Sequence, residues 1–155
     1  FYLSLMVVDL LLQDIKYADL TNIKIKEAKG RFEIVNDSPV KIIDGAHNCE
    51  GVEILLRNYE NKYGHLNTDL FLGFKKGKDI NNNINLIIEK TKYNLHLIED
   101  DTFFDQEITK EIGYLLDKHG KNYKISSLEQ FNRNKNPSIL LGSLYLIGEY
   151  KKREL

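Results

Sequence analysis

The sequence predicts an α/β domain with a Rossmann-like, mostly parallel sheet of about six strands, in which one edge strand is antiparallel and helices flank both faces. From residue 40 onward, short apolar runs alternate with longer segments whose apolar residues recur at helical spacing. The turn-forming residues 36–39 separate the run that begins at residue 40 from an earlier apolar segment at residues 31–35. A connection of about four residues joins antiparallel strands, because a parallel crossover needs about a dozen or more.

Residues 40–63 predict a strand, a tight turn and a helix. The apolar strand ends at Asp44, Gly45 permits the turn, and Asn48 is a good helix N-cap. One face of the following helix is apolar, through Val52, Leu55, Leu56, Tyr59 and Tyr63. Ligands of open α/β sheets bind outside the carboxyl ends of the strands, where this turn places Asp44, His47 and Asn48.

The other elements follow the same alternation. Further strands are predicted at residues 31–35, 69–74, 93–98, 123–126 and 138–142. Further helices are predicted at residues 80–92, 106–119, 128–134 and 144–151. Asp79 is expected to cap the first of these helices, and Gly120 to end the second. The alternation implies right-handed crossovers between parallel strands.

Composition limits the domain count and the classes of partner. With 155 residues, 42% of them apolar, the chain is long enough for one well-buried main domain, expected at residues 30–155. Its 22 Lys and Arg residues nearly balance 23 Asp and Glu residues, so overall charge favours neither nucleic acid nor an anionic membrane as a partner. The single cysteine, Cys49, is typical of a reducing compartment, which predicts a cytoplasmic protein.

The segment before the main domain predicts a helix and a linker. Residues 1–16 are apolar around most of a helical circumference, and residues 17–29 are polar and mixed. The first segment lacks a basic leader, is interrupted by Asp9, and is too short to span a bilayer. We therefore expect a helix that is buried on more than one side, joined by a linker to the main domain.

Several other clusters have ordinary explanations. Residues 73–79 form a glycine-containing basic loop without the spacing of a P-loop, and a solvated loop is favoured. Asp100 and Asp101 are expected to face water, so no metal site is predicted. The Asn81-Asn82-Asn83 run is interpreted as codon bias of the host. The scattered histidines are expected at the surface or in loops: His65, His96 and His119.

Three single residues allow both a chemical and a structural interpretation. Ser143 places a hydroxyl at the end of a buried strand, where helix capping alone would explain it. Arg31 could bind a phosphate bidentately or be an ordinary surface arginine. Cys49 would lie at the start of a helix, where the dipole can lower a thiol pKa, although a packing role is favoured.

Four short motifs occur in order: Gly30-Arg31, Ile43-Asp44-Gly45-Ala46-His47-Asn48, Leu72-Gly73-Phe74 followed by Lys78-Asp79, and Gly142-Ser143-Leu144-Tyr145-Leu146-Ile147-Gly148-Glu149. Together they resemble the carboxy-terminal domain of folylpolyglutamate synthase/dihydrofolate synthase, in the Mur ligase superfamily. The resemblance covers residues 30–149, and the last motif favours the folate branch over the peptidoglycan ligases.

This resemblance implies a ligase that uses ATP and Mg²⁺ to join L-glutamate to folate or dihydropteroate through an acyl phosphate. It implies that Arg31 contacts the ATP phosphates or ribose and that Asp44 accepts hydrogen bonds from the ribose hydroxyls. Asn48 would support the turn. The catalytic residues would be His47, which helps place glutamate near the acyl phosphate, and Ser143, which helps hold glutamate. The metal ligands are expected in a preceding central domain.

The chain departs from the family pattern in four respects. The loop at residues 75–79 lacks the first acid of the family's usual Lys-Asp-Lys-Asp sequence, so it is left out of the core site. Cys49 replaces a proline that usually follows the His-Asn pair, and Ala28-Lys29 replaces a Trp-Pro pair before Gly-Arg. No P-loop occurs in the sequence, and residues 1–16 resemble the last helix of the family's central P-loop domain, the expected partner within one parent chain. The 155-residue polypeptide is therefore expected to fold but neither to hydrolyse ATP nor to ligate glutamate.

Two alternatives remain open at this stage. One is another Mur-type ligase that joins an amino acid to a nucleotide-linked peptide. The other is a nucleotide-binding α/β module without catalysis. The choice between dihydropteroate, reduced folates or both as acceptor is also left open, because the pterin would be bound mainly outside this segment.

Overall fold

A computed structural model of the chain describes residues 28–64, 67–76, 79–90, 92–99 and 106–153. The described strands are β1 (Glu33–Asp37), β2 (Val40–Asp44), β3 (Thr68–Leu72), β4 (Tyr93–Ile98), β5 (Tyr123–Ser126) and β6 (Ser138–Leu141). The described helices are α1 (Cys49–Tyr63), α2 (Ile80–Glu89), α3 (Gln106–Lys118), α4 (Leu128–Arg133) and α5 (Leu144–Lys152). The expectations for the helix at 1–16, most of the linker, His65 and the Asp100-Asp101 pair lie outside the described residues.

The strands form one sheet in the order β1-β2-β6-β3-β4-β5. Strand β1 pairs antiparallel with β2, and the other four pairings among the described strands are parallel. The predicted fold class, including the antiparallel edge strand, is therefore confirmed. Strand β6 is the last of the described strands along the chain but lies between β2 and β3.

The boundary of β1 differs from the prediction of residues 31–35. The strand starts at Glu33, because Phe32 has a φ of 44° and its amide hydrogen-bonds to a side chain rather than to a neighbouring strand. Strand β1 then continues through Asp37, and the pairing with β2 shifts register between Ile34 and Asn36. The connection to β2 is thus shorter than expected, since residues predicted as a turn extend the strand.

The apolar side chains of the strands divide between two cores. Along β2, Ile42 belongs to one core and Ile43 to the other, as the two-residue period of a strand requires. Helices α1, α2 and α3 cover the larger core, and α4 and α5 cover the smaller one. Both faces of the sheet are therefore covered, which explains why consecutive residues are apolar in the central strands, as at residues 42–43, 70–72 and 139–141.

The prediction that His96 lies at the surface or in a loop is wrong. His96 is buried in β4, where its ring stacks on Phe71 with 4.3 Å between ring centroids. Its Nδ1 atom lies 2.9 Å from the Oγ atom of Ser126 on the neighbouring strand. Burial lowers the pKa of His96, so the imidazole is neutral near pH 7. Periodicity within an apolar strand indicates this position, whereas residue type alone does not.

Candidate functional site

Three adjacent strands end at the same level on one edge of the sheet. Leu141 at the end of β6 is in register with Asp44 on β2 and with Leu72 on β3. Each of these strands is followed at once by a glycine: Gly45, Gly142 and Gly73. The chain therefore turns away from the sheet at three neighbouring points, which opens the carboxyl edge where α/β proteins bind ligands.

The carboxylate of Asp44 fixes two turns at this edge. Its Oδ2 atom accepts a hydrogen bond from the amide of Phe32 at 2.7 Å, and Oδ1 accepts one from the amide of Ala46 at 2.7 Å. Asp44 is buried, so the bond to Ala46 is shielded from water and the bond to Phe32 is partly shielded. One carboxylate thus ties the segment before β1 to the turn after β2. Each oxygen keeps a further lone pair for another donor.

Arg31 lies beside this carboxylate but keeps much of its side chain in solvent. Its Nη1 atom is 3.6 Å from Oδ1 of Asp44, and 48% of the side chain is exposed. The preceding residue, Gly30, accepts a hydrogen bond from the amide of Gly45 at 2.8 Å. The Gly30-Arg31 motif and the 44–48 turn therefore form one unit, with guanidinium donors available to a ligand.

The ring of His47 is held in one tautomer. Its Nδ1 atom lies 2.9 Å from the carbonyl oxygen of Gly45. A carbonyl can only accept, so Nδ1 carries the proton in the neutral ring and Nε2 presents a lone pair. His47 is half-buried. The turn thus presents a fixed hydrogen-bond acceptor at the sheet edge.

Asn48 and Cys49 begin α1 in structural roles. The side chain of Asn48 accepts from the amide of Gly51 at 3.0 Å, which confirms the predicted N-cap. Burial raises the pKa of the Cys49 thiol above its ordinary value, and the charge of Asp79 adds to this effect. The surroundings of Cys49 therefore favour the protonated thiol over the thiolate.

Ser143 caps α5 next to the same turn. Its Oγ atom accepts from the amide of Leu146 at 3.1 Å, and the residue is buried. The next residue, Leu144, packs against Gly45: a β-carbon on Gly45 would be 2.4 Å from Cδ2 of Leu144. The Ser143 hydroxyl keeps its own proton for donation, because capping uses only a lone pair.

The loop after β3 contacts α5 through a cation and an aromatic ring. The Nζ atom of Lys75 lies 3.9 Å from the ring centroid of Tyr145, a cation–π distance. Asp79 caps α2 as predicted, accepting from the amide of Asn82 at 3.4 Å. Gly77 and Lys78 lie outside the described residues.

The fold thus brings Arg31, Asp44, His47, Asn48 and Ser143 to the ends of neighbouring strands, as expected from a parallel sheet. One further contact at this edge was not predicted: Nδ2 of Asn83 donates to the carbonyl oxygen of His47 at 3.0 Å. Asn83 is the buried residue of the run Asn81-Asn82-Asn83, and the sequence of that run does not indicate which asparagine is buried.

A cleft of about 480 Å³ lies elsewhere, with Asp69, Asn94, His96 and Lys121 among its lining residues. The carboxylate of Asp69 already accepts hydrogen bonds from three asparagine side chains: Asn94, Asn134 and Asn136. Three of about four acceptor positions on this carboxylate are therefore occupied. We place the candidate site at the carboxyl edge instead, where donors and acceptors remain available.

The described residues contain neither a metal-binding cluster nor a membrane-spanning helix. In that part of the chain, no group of three or more His, Cys, Asp and Glu side chains could hold a metal ion. No described helix has the length and apolar character needed to cross a bilayer.

The strand order, with the ends of β2, β6 and β3 in register, defines a Rossmann-like α/β domain whose candidate site lies at the carboxyl edge of the sheet. No family model matches the chain. It is 26% identical over 130 residues to the dihydrofolate synthase/folylpolyglutamate synthase of Bacillus subtilis (strain 168), covering 80% of this chain and 30% of that protein. The chain therefore resembles part of a folylpolyglutamate synthase.

Solved structures give the same fold. The folylpolyglutamate synthetase of Helicobacter pylori superposes with a TM-score of 0.68 at 21% identity, covering 97% of this chain and 38% of that one. A bifunctional folylpolyglutamate synthase/dihydrofolate synthase with Mn, AMPPNP and L-glutamate bound superposes with a TM-score of 0.67 at 15% identity, covering 96% and 38%. The chain spans about a third of the length of these relatives, and its fold is that of their carboxy-terminal domain.

Proposed function

We propose that the chain is the carboxy-terminal domain of a ligase that adds L-glutamate to folate or dihydropteroate at the expense of ATP. The observation that carries the proposal is the fixed Asp44–His47 turn beside Ser143, in a chain that resembles folylpolyglutamate synthases. The neighbour with AMPPNP and L-glutamate bound supports both small molecules as ligands.

The nucleotide would lie against Arg31 and Asp44. The exposed guanidinium of Arg31 supplies paired donors for phosphate oxygens, and its neighbour Asp44 holds it in place at 3.6 Å. The remaining lone pairs of Asp44 accept from ribose hydroxyls, while its two backbone bonds keep the carboxylate rigid. Asn48 acts indirectly, since it fixes the start of α1 and thereby the end of the turn.

Glutamate would lie between His47 and Ser143. In the ligation step, the amine nitrogen attacks the acyl carbon of the acyl phosphate, the C–N bond forms, and the C–O bond to phosphate breaks. The amine must lose a proton, and Nε2 of His47 has the lone pair that can take it. The hydroxyl of Ser143 donates to a glutamate carboxylate oxygen while it caps α5.

Mg²⁺ is not assigned to the described residues of this chain. The described residues bring together no acidic cluster that fits Mg²⁺, so no step of this proposal uses the ion at these residues. We propose that the magnesium ligands and the P-loop are supplied by a central domain of the same parent chain. A cytoplasmic location is proposed with the same function.

The test uses the longer protein that would contain this chain. It is incubated with ATP, labelled glutamate and one acceptor at a time: dihydropteroate, a reduced folate, or a nucleotide-linked peptide. Incorporation of glutamate into a folate supports the proposal. Incorporation into the peptide alone would indicate another Mur-type ligase, and nucleotide binding without ligation would indicate a non-catalytic module.

The 155-residue chain itself provides a second test. Because the phosphate chemistry needs groups that we propose lie in the central domain, the purified chain should be folded by circular dichroism yet release no phosphate from ATP. Measurable turnover by the purified chain would contradict the proposal that the groups for phosphate chemistry lie in the central domain.

A further inference from the structure

Asn83 is a buried polar residue that helix stability does not explain. The side chain is fully buried in α2 among isoleucines of the larger core, including Ile80, Ile84 and Ile87. Its Oδ1 atom is buried and accepts no hydrogen bond within the described part of the chain. An unpaired buried oxygen lowers stability, so an apolar residue of similar size would suit the core better.

The other half of the amide has a defined partner. Nδ2 donates to the backbone carbonyl of His47 at 3.0 Å, across 36 positions of sequence. The amide cannot be reversed, because the carbonyl of His47 needs a donor and only Nδ2 can supply one. The orientation that leaves Oδ1 unpaired is therefore the one that holds His47.

Capping of α2 does not require Asn83 either. Asp79 is the N-cap, and its Oδ1 atom accepts from the amide of Asn82. Asn81 and Asn82 are exposed, so within the asparagine run Asn83 is the buried one. The feature particular to Asn83 is thus its bond to His47.

We propose that Asn83 is a positioning residue for His47. The backbone of His47 is held from α2 by Asn83, and its ring is held from within the turn by Gly45. Both bonds together fix where Nε2 points. This inference rests on the proposed function, in which Nε2 faces the amine of glutamate. Small displacements of a catalytic group can lower turnover by about 100-fold. The hydrogen bond from Asn83 to His47 therefore contributes to turnover, although Asn83 does not contribute to stability.

The test compares Asn83→Leu with Asn81→Leu, which makes the same exchange at an exposed position of the same helix. Three quantities are measured: thermal unfolding, the imidazole ¹⁵N chemical shifts of His47, and steady-state kinetics in the longer ligase. For Asn83→Leu we expect unfolding at an equal or higher temperature, altered His47 shifts, and kcat lowered by about 10- to 100-fold with the KM for ATP unchanged. Asn81→Leu should change neither the shifts nor kcat.

A purely structural role would lower the unfolding temperature and leave the His47 shifts in place, and that result would overturn the proposal. If Asn83→Leu does not fold, Asn83→Ala removes the same donor with less bulk. Because the cavity left by alanine lowers the unfolding temperature by itself, this variant is judged by the His47 shifts and kcat alone. The chemical shifts are measured without substrate. A longer protein that never ligates glutamate would therefore contradict the proposed function, while the shifts still decide whether Asn83 holds His47.

Discussion

The α-carbon of Gly142 lies directly against the backbone of Gly73. A β-carbon on Gly142 would be 2.3 Å from the carbonyl oxygen of Gly73 and 2.5 Å from its carbonyl carbon. Gly142 also has a φ of 134°, which L-residues with a side chain rarely adopt. The ends of β6 and β3 can approach this closely only because position 142 lacks a side chain.

Gly142→Ala should therefore be strongly destabilising. Backbone strain alone costs about 1–3 kcal/mol, and the overlap with Gly73 adds to it. The measurement is the free energy of unfolding in urea. The matched control is Gly148→Ala within α5, where a β-carbon meets nothing within 4 Å, so this change should stabilise by about 0.5–1 kcal/mol. Equal effects of the two substitutions would contradict the packing at the strand ends.

Ser143→Ala and Ser127→Ala should have equal effects on stability but different effects on ligation. Each serine is an N-cap that accepts a backbone hydrogen bond, so each substitution should cost about 1 kcal/mol in free energy of unfolding. Only Ser143 lies at the candidate site. In the longer ligase, Ser143→Ala should raise the KM for glutamate, whereas Ser127→Ala should leave it unchanged. A rise with both would indicate that the effect comes through stability.

Asp44→Asn should destabilise the domain even though it preserves shape. One of the two backbone amides held by the carboxylate would then face an NH₂ group, leaving a buried donor unpaired at a cost of about 1–3 kcal/mol. Chemical denaturation measures the loss. Asp37→Asn, at an exposed position of β1, removes the same charge and should change stability little. A similar small effect at Asp44 would show that its backbone bonds are dispensable.

Stability should fall on acidification, in two stages. Burial lowers the pKa of His96 below its ordinary 6.5, so the unfolded state gains a proton first and stability declines as the pH falls below that value. Burial alone would raise the pKa of Asp69, but three asparagine amides and His96 outweigh it and hold the pKa below 3.8. The stability that Asp69 contributes is therefore lost as the pH falls below about 4.

Urea unfolding at intervals between pH 7 and pH 5 isolates the first stage. His96→Gln should show a smaller decline than the wild type, since it removes the buried titrating ring. The exposed His119→Gln is the matched control. If the wild type instead gained stability as the pH fell from 7 to 5, the His96 imidazole would not be neutral in its buried form.

Cys49 should react slowly with thiol reagents. Its raised pKa keeps the thiol protonated at neutral pH, and only the thiolate is an effective nucleophile. The rate of alkylation by iodoacetamide, measured as a function of pH, should rise with a midpoint above that of a cysteine in a short model peptide. Asp79→Asn should move the midpoint downward, because it removes a charge that opposes the thiolate. Rapid alkylation at pH 7 would contradict the assignment.

The order of strands and helices was predictable because a buried parallel strand and an amphipathic helix have different periods. Segments such as β4 and β5 match their predicted limits. The start of β1 was not predictable, since the conformation of Phe32 depends on a carboxylate twelve positions away. Contacts of this kind are tertiary, and local propensity contains no information about them.

The candidate site was predictable to the same extent. Asp44, His47 and Ser143 end or follow buried strands, and a parallel sheet places such residues on one edge. The roles assigned to them remain predictions. Asn83 could not be found by the same reasoning, because its neighbours in the asparagine run are exposed and only packing against the turn distinguishes it.

The central position of β6 has a consequence for how the domain is made. Strand β2 reaches β3 only through β6, and Lys41 and Asp69 both pair with Ser138, which lies nearly a hundred positions after Lys41. Before β6 has left the ribosome, we expect β1-β2 and β3-β4-β5 to be two separate pieces with exposed edges, because β6 lies between them in the sheet. Closing such distant contacts is slow, and exposed edges favour aggregation. We expect synthesis to pass through a vulnerable interval that ends when the last strand enters the middle of the sheet.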